Sequence, residues 1–359
     1  MIRLKRKKRL KGWSMIATLS LAIAAFLWIQ SSREDTYTVE TVTNGDRVTR
    51  SFESLAEAKR YMAAGNNRTL FSPSGEVLDF TGTGVVVTPS DAITHLYKDA
   101  SFQKRQSYVA GGTRLQLLER GENHLKVRIS GADVYVKPDQ MALFPEAVVK
   151  RRGYYEIRDG DVYHSVEANA NLAGTFLVGP TEKRSKDRYY TERVEDVFDS
   201  PYQFASIRST SPYSAKAFDQ YLKSIDSPLS GEGAAFKRAE ETYGINALFL
   251  LAVAGHESQF GTSDIAREKR NLFGFHATDD DPSGNATSFD TVEASVKAAA
   301  ELFATKYVKG PYARGDYPGN KQKGINIFYA SDPYWGEKVA GTMYTIDREL
   351  GLKYLNTIQ

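Results

Sequence analysis

The spacing of apolar side chains changes character along this chain, and each change predicts a different kind of element. Residues 12–29 (GWSMIATLSLAIAAFLWI) carry no charge over 18 positions, near the minimum length for a membrane-spanning helix. Trp13 and Trp28 stand at the two ends of that run, where interfacial aromatics belong. From Tyr37 the period drops to two. Residues 37–42 and 47–52 alternate on either side of an Asn44-Gly45-Asp46 turn, which predicts a hairpin. Ser54 is placed to cap a helix through Ala63, with Glu57 completing a capping box. Short β runs at 69–71 and 85–88 then close a small α+β module over residues 36–88.

Residues 89–145 are rich in strand signals. The runs 114–118, 124–129 and 134–136 are split by Gly121-Glu122-Asn123 and Gly131-Ala132-Asp133, a rhythm that predicts a small barrel. Residues 146–199 read as a β-rich connector holding the hairpin YYEIRDGDVYHSV, with Asp159-Gly160 at its turn. From about Ser200 the pattern turns helical. Residues 214–225 lie between Pro212 and Pro228, and Ser230 is placed to cap a helix that runs through Tyr243 and stops at Gly244. Next comes the run 245–254, apolar except for Asn246. A helix apolar all round is a buried one, so this segment should form the centre of a domain and end near Glu257. Asp290 and Glu293 cap a helix with Val292, Val296, Ala299, Leu302 and Phe303 in its stripe. Asp332-Pro333 starts a last helix with Trp335, Val339, Ile346 and Leu350 inward.

Composition adds exclusions. The 359 residues suffice for two or three domains. The chain has no cysteine, which removes disulfides, thiolate zinc sites and a thiol nucleophile. Its five histidines, His95, His124, His164, His256 and His276, show no ligand spacing, so no metal and no cofactor is expected. The net charge of +3 comes from the N-terminus, where seven basic residues fall within the first eleven positions. The remaining 40 basic residues face 44 acidic ones, which argues against nucleic acid as a partner. A basic tail at 1–11 followed by an apolar run at 12–30 makes the lipid bilayer the expected partner instead. The tail is then cytoplasmic, and everything from Ser31 onward lies outside the cell membrane. A cleavable signal peptide competes, but Phe26, Leu27, Trp28 and Ile29 fill the place of a small-residue cleavage site.

Glu257 is the candidate for chemistry. A carboxylate carried to the edge of a buried helix loses hydration, so its pKa should rise, as a glycosidase general acid requires. His256 reads as packing, since helix neighbours diverge by about 100°. GHESQ is not GxSxG, and this removes a serine hydrolase from consideration.

With the residues laid out, a resemblance follows. YGINALFLLAVAGHES, FGTS, NLFGF, the HATDDDP turn and YASDPYW occur in this order. Together they resemble the glucosaminidase domain of bacterial cell-wall hydrolases, glycoside hydrolase family 73. The resemblance implies a lysozyme-like α fold and cleavage of the β-1,4 bond after N-acetylglucosamine in peptidoglycan glycan strands. It places the catalytic glutamate on Glu257. The β rhythm of 89–145 likewise resembles the bacterial SH3-like modules found beside such hydrolases. The expected fold class is therefore multidomain. It has an N-terminal transmembrane helix, small α+β and SH3-like β modules, and a C-terminal all-α lysozyme-like catalytic domain over 200–359. The β-rich segments would space that domain from the membrane or touch the wall.

The second catalytic group stays open between two assignments. One of Asp279, Asp280 and Asp281 could activate water, as could Asp332 of the YASD motif, although Asp332 also reads as an ordinary cap. Alternatively the substrate's own acetamide takes the role. Asn271 and Phe273 are candidates for a cleft wall, although Asn271 reads equally as a capping or turn residue, and Tyr329 is a candidate for the sugar's neighbourhood. Tyr307, Tyr312, Tyr317, Tyr334 and Trp335 suit stacking on sugar faces. Two competing functions are a lytic transglycosylase that leaves anhydro-muramic ends and a non-catalytic wall-binding scaffold. The first expects a Gly-Leu-Met-Gln type run where this chain has NLFGF.

Overall fold

The computed structural model describes residues 36–43, 46–139, 141–150, 152–167, 173–182, 189–190, 200–276 and 285–358. These form two compact units. One comprises the described residues up to Gly82 together with Pro145–Val148, and the other Thr83–Phe144 together with those from Val149 onward.

The first unit is a four-stranded antiparallel sheet with one helix. Its elements are β1 (Tyr37–Thr43), β2 (Asp46–Phe52), α1 (Leu55–Ala63), β3 (Arg68–Phe71) and β4 (Val77–Phe80), and the strand order is β2-β1-β3-β4. The expected Ser54 cap forms, its hydroxyl accepting from the Glu57 N–H at 3.3 Å. Ala58 and Met62 of α1 pack on Val39 and Leu70 of the sheet.

The second unit begins with a seven-stranded sheet. Its strands are β5 (Gly84–Val87), β6 (Thr94–Tyr97), β7 (Arg105–Val109), β8 (Arg114–Arg120), β9 (Leu125–Ile129), β10 (Ala132–Val136) and β11 (Ala142–Pro145), in the order β11-β5-β8-β9-β10-β6-β7. Strands β6 and β7 were not anticipated, because each offers too few alternating positions to register as a pattern. A second sheet follows, β12 (Tyr154–Arg158), β13 (Asp161–Val166), β14 (Gly174–Pro180) and β15 (Tyr189–Tyr190), in the order β14-β13-β12-β15. Its turn at Asp159 and Gly160 has φ of 51° and 87°, the left-handed pair that a type I′ hairpin requires.

The helices are α2 (Ala215–Ser224), α3 (Gly233–Tyr243), α4 (Ala247–Ser258), α5 (Asp264–Lys269), α6 (Val292–Leu302), α7 (Trp335–Glu349) and α8 (Leu355–Ile358). Helix α4 is buried on every side from Ala247 to Gly255 and lies at the centre of the largest core. Each Leu, Val or Phe buried there contributes about 1.5–3 kcal/mol. Asn246, the one polar residue of the run, caps the helix by accepting from the Phe249 N–H at 3.1 Å. Two other caps differ from expectation. Asp219, not Ser230, accepts from the Gly231 and Gly233 N–H groups at 3.0 and 2.7 Å. Thr291, not Asp290, caps α6, because its extended backbone aims the hydroxyl at the Ala294 N–H, 3.0 Å away.

Within the second unit, the sheet β12–β15 packs on helix α7. At Gly341 of α7 a Cβ would fall 1.8 Å from the Leu177 carbonyl of β14, so only glycine allows this approach. Glu337 of α7 is fully buried, and its two carboxylate oxygens meet the Tyr155 hydroxyl and His164 Nδ1 of the second sheet at 2.7 Å each.

The expected transmembrane fold class needs correction. Among the described residues no helix is long and apolar enough to cross a membrane. Helix α4 is apolar, but its 12 residues span only about 18 Å against the roughly 30 Å of a bilayer core. The described fold is a β-rich N-terminal region followed by a helical C-terminal domain. The run 12–29 and the bilayer contact expected of it lie outside the described residues.

Candidate active site

Helix α4 ends by delivering Glu257 to the edge of the core. The buried run up to Gly255 fixes the helix, Ser258 hydrogen-bonds back to the Ala254 carbonyl at 2.6 Å, and Gln259 ends the helix in the left-handed conformation. Glu257 keeps one face open to solvent, while protein crowds its other sides closely enough to strip hydration. Loss of hydration pushes the carboxyl up to about 7 against the pull of a hydrogen bond from Trp335, and the negative charge of Asp332 adds to the rise.

Trp335 forms the wall behind Glu257. Its indole Nε1–H donates to Glu257 Oε1 at 2.9 Å, and its ring is buried at the start of α7. Tyr329 leans on that ring with centroids 4.5 Å apart. Its own phenol is pushed up, first by burial and then by the charge of Glu257. Behind Tyr329 stand Phe303 at 5.2 Å and Tyr307 at 5.5 Å. Both belong to a π-helical turn, Phe303–Val308, whose wider spacing brings the two rings onto one partner. The aromatic series continues through Tyr312, which is exposed.

Asp332 sits nearby with both oxygens engaged. Oδ1 accepts from the Tyr334 N–H at 2.8 Å, and Oδ2 pairs with Lys338 Nζ at 2.6 Å. His256 is near this pair. Burial and the Lys338 charge push its imidazole down to about 4 despite Asp332, so it is neutral at neutral pH.

Two of the other expected residues have packing roles of their own. Asn271 is buried, donating from Nδ2 to the Phe275 carbonyl at 2.9 Å and accepting at Oδ1 from the Phe275 N–H at 3.0 Å. Its amide thus closes the loop after α5. Phe273 is part of the large core and edges against Phe275. Asp279, Asp280 and Asp281 lie outside the described residues. Among the described residues no group of three or more His, Asp or Glu side chains could hold a metal ion. Sequence reasoning missed Lys338, whose signal was its place six residues after Asp332, one turn into an expected helix.

Glu257, Tyr329, Asp332, Trp335 and Lys338 all lie within residues 233–348, the stretch that matches the family model described as mannosyl-glycoprotein endo-β-N-acetylglucosaminidase. The chain carries a glucosaminidase domain. A putative endo-β-N-acetylglucosaminidase of Streptococcus pneumoniae is 36% identical over 261 residues, covering 70% of this chain and 39% of that protein. A bifunctional autolysin of Staphylococcus aureus is 30% identical over 129 residues, 30% of this chain and 10% of that one. The chain therefore spans well under half the length of the curated relatives it matches. Autolysin E of S. aureus, a solved structure, aligns with a TM-score of 0.37 at 21% identity, over 47% of this chain and 83% of that one. The likeness is distant. In this chain the glucosaminidase domain is not alone around its site, since the Tyr108 hydroxyl of β7 reaches the Tyr329 carbonyl at 3.2 Å.

Proposed function

We propose that this protein hydrolyses the β-1,4 bond after N-acetylglucosamine in peptidoglycan glycan strands, with Glu257 as the general acid. One observation carries the reading: a carboxyl pushed up to about 7, open to solvent on one face and held on the other by an indole N–H. A group with that pKa is still substantially protonated at neutral pH, which is what an acid catalyst at a glycosidic oxygen needs. The glucosaminidase domain and the autolysin names of its relatives support the substrate class. Work on peptidoglycan would place the domain outside the cytoplasmic membrane.

Because Trp335 occupies Oε1, the proton to be given resides on Oε2. It passes to the leaving oxygen as the C1–O bond breaks and the bonding pair moves to that oxygen. The indole hydrogen bond then stabilises the carboxylate left behind. Asp332, tied to Lys338 and to its own turn, acts on Glu257 through its charge rather than on water. The acetamide of the substrate or an acidic side chain such as Asp279 completes the cleavage, and water supplies the hydroxyl. The anomer of the first product assigns that group, with retention pointing to the acetamide and inversion to the side chain.

Digestion of purified sacculi tests the reading. Soluble fragments ending in reducing N-acetylglucosamine are expected from the wild type and not from Glu257→Gln. Anhydro-muramic ends would replace hydrolysis by transglycosylation, and binding without soluble fragments would replace it by a scaffold role.

A further inference from the structure

The segment 326–333 carries Tyr329 and Asp332 and leads directly into Trp335. Beyond the single 3-10 turn Ile325–Ile327 it has no regular secondary structure. A buried carbonyl without a donor costs about 1–3 kcal/mol, so a segment of this kind must find its donors elsewhere. Here they come mainly from the seven-stranded sheet and from one lysine. Ser107 Oγ of β7 donates to the Ile327 carbonyl at 2.6 Å. The Tyr108 hydroxyl lies 3.1 Å from the Phe328 carbonyl and 3.2 Å from that of Tyr329. The Ala110 N–H reaches the Ser331 carbonyl at 3.0 Å, and Ser130 Oγ reaches that of Pro333 at 2.8 Å.

Lys321 supplies the rest. It is fully buried, and its Nζ donates to the Asn326 carbonyl at 2.8 Å and the Ala330 carbonyl at 2.6 Å. Asn326 passes the constraint on, its Nδ2 donating to the carbonyls of Asp332 and Pro333 at 3.1 Å each. The Trp335 N–H then closes on the Asp332 carbonyl at 3.3 Å. From Lys321 to the indole on Glu257 there is thus a continuous chain of hydrogen bonds. No residue of that chain before Trp335 need touch substrate.

We propose that Ser107, Tyr108 and Lys321 are positioning residues. They brace the 326–333 segment from outside, so that the Trp335 indole stays on Glu257 Oε1. The proposal rests on Glu257 being the acid. Lys321 faces the Asp332 charge and the Tyr108 ring, 5.1 Å from its Nζ. Burial pushes its ammonium down to about 7, with Asp332 pulling the other way. Even the neutral amine keeps two N–H groups for its two carbonyls, so the brace persists through that titration. Glu257 is faced by Trp335, Asp332 and Tyr329, and the indole bond is what pulls its pKa down. A slack brace therefore predicts a higher Glu257 pKa, which a mere loss of stability would not produce.

The experiment follows the Trp335 indole N–H by NMR across pH in the full chain. Its resonance is the one whose titration disappears in Glu257→Gln. In the double variant Ser107→Ala/Tyr108→Phe and in Lys321→Met, the titration midpoint should rise by about half a pH unit or more. The kcat on glycan strands should fall about tenfold with little change in KM. Ser107→Thr, which keeps a hydroxyl, should behave as wild type. If the double variant does not fold, Ser107→Ala alone gives the same reading. An unchanged midpoint in folded variants, with kcat per folded molecule also unchanged, overturns the brace. The NMR midpoint does not depend on turnover. A chain that cleaves no glycan but shows the shift would sink the proposed function and keep the brace.

Discussion

The two elements that meet at Glu257 are built on opposite plans. The floor, α4, needs no help from distant modules. Ten of its twelve residues are buried, its own Asn246 caps it, and the core it anchors fixes where Glu257 emerges. The wall, from Tyr329 through Asp332 to Trp335, has almost no secondary structure before α7 begins. It is held by side chains up to 221 residues away in sequence. A catalytic carboxyl can thus be placed by burial alone, whereas the group that tunes its proton is placed by hydrogen bonds from another part of the chain.

The largest expected effect lies on the floor. Glu257→Gln should keep the fold and lose about 10²–10⁴-fold in kcat on glycan strands, the range of a lost general acid. Substantial turnover by that variant would remove Glu257 from the role. The floor's self-sufficiency is sharpened by Phe249→Ala, which deletes a fully buried ring packed edge-on against Phe303 at 5.0 Å. A loss of about 3–5 kcal/mol of stability is expected from urea unfolding. Below the transition the Glu257 midpoint should stay where it was, and a moved midpoint would mean that the floor and the wall are coupled.

This contrast also explains what the sequence made legible. The run 245–254 announced a buried helix because nothing polar interrupts it after Asn246, and its end announced Glu257. Trp335 was legible as an inward residue of a last helix and as a candidate for stacking on sugar. Its indole N–H on Glu257 was not, because a bond between residues 78 apart leaves no periodic trace. Asp332 read equally well as a cap or a catalytic group, and in the fold both of its oxygens are engaged by neighbours. Asn271 read equally well as a cleft wall or a turn residue, and in the fold its amide closes its own loop. Strands β6 and β7 went unseen because the pattern is short there. With them went Ser107 and Tyr108, whose partners are backbone carbonyls that no side-chain pattern records.

Two substitutions in the wall should move the pH profile in opposite directions. Trp335→Phe removes the donor that favours the Glu257 carboxylate, so the fall in kcat at high pH should shift upward from about 7. Asp332→Asn removes a negative charge that favours the protonated acid, so the same limb should shift downward. The unpaired Lys338 charge that this second change leaves behind acts in the same downward direction. Each shift should be a fraction of a unit to about one unit, and is read from kcat between about pH 5 and pH 9. Parallel shifts of one sign would show that the wall acts on Glu257 only by collapsing.

The smallest expected effect concerns stability. The Glu257 carboxyl titrates near 7 in the folded chain and near its ordinary 4.5 once unfolded. Between those values the native state holds a proton that the unfolded chain has released, so stability falls as pH rises through that window. Glutamine has no proton to lose and escapes the loss. Glu257→Gln should therefore match the wild type at about pH 4 and exceed it at about pH 8, by on the order of 1 kcal/mol once screening at the open face is allowed for. Urea midpoints at the two pH values measure the difference directly, and the contribution of His256 cancels because it is common to both proteins. An equal gap at both values would mean that the surrounding protein does not dehydrate this carboxyl, and α4 would then end in an ordinary surface glutamate.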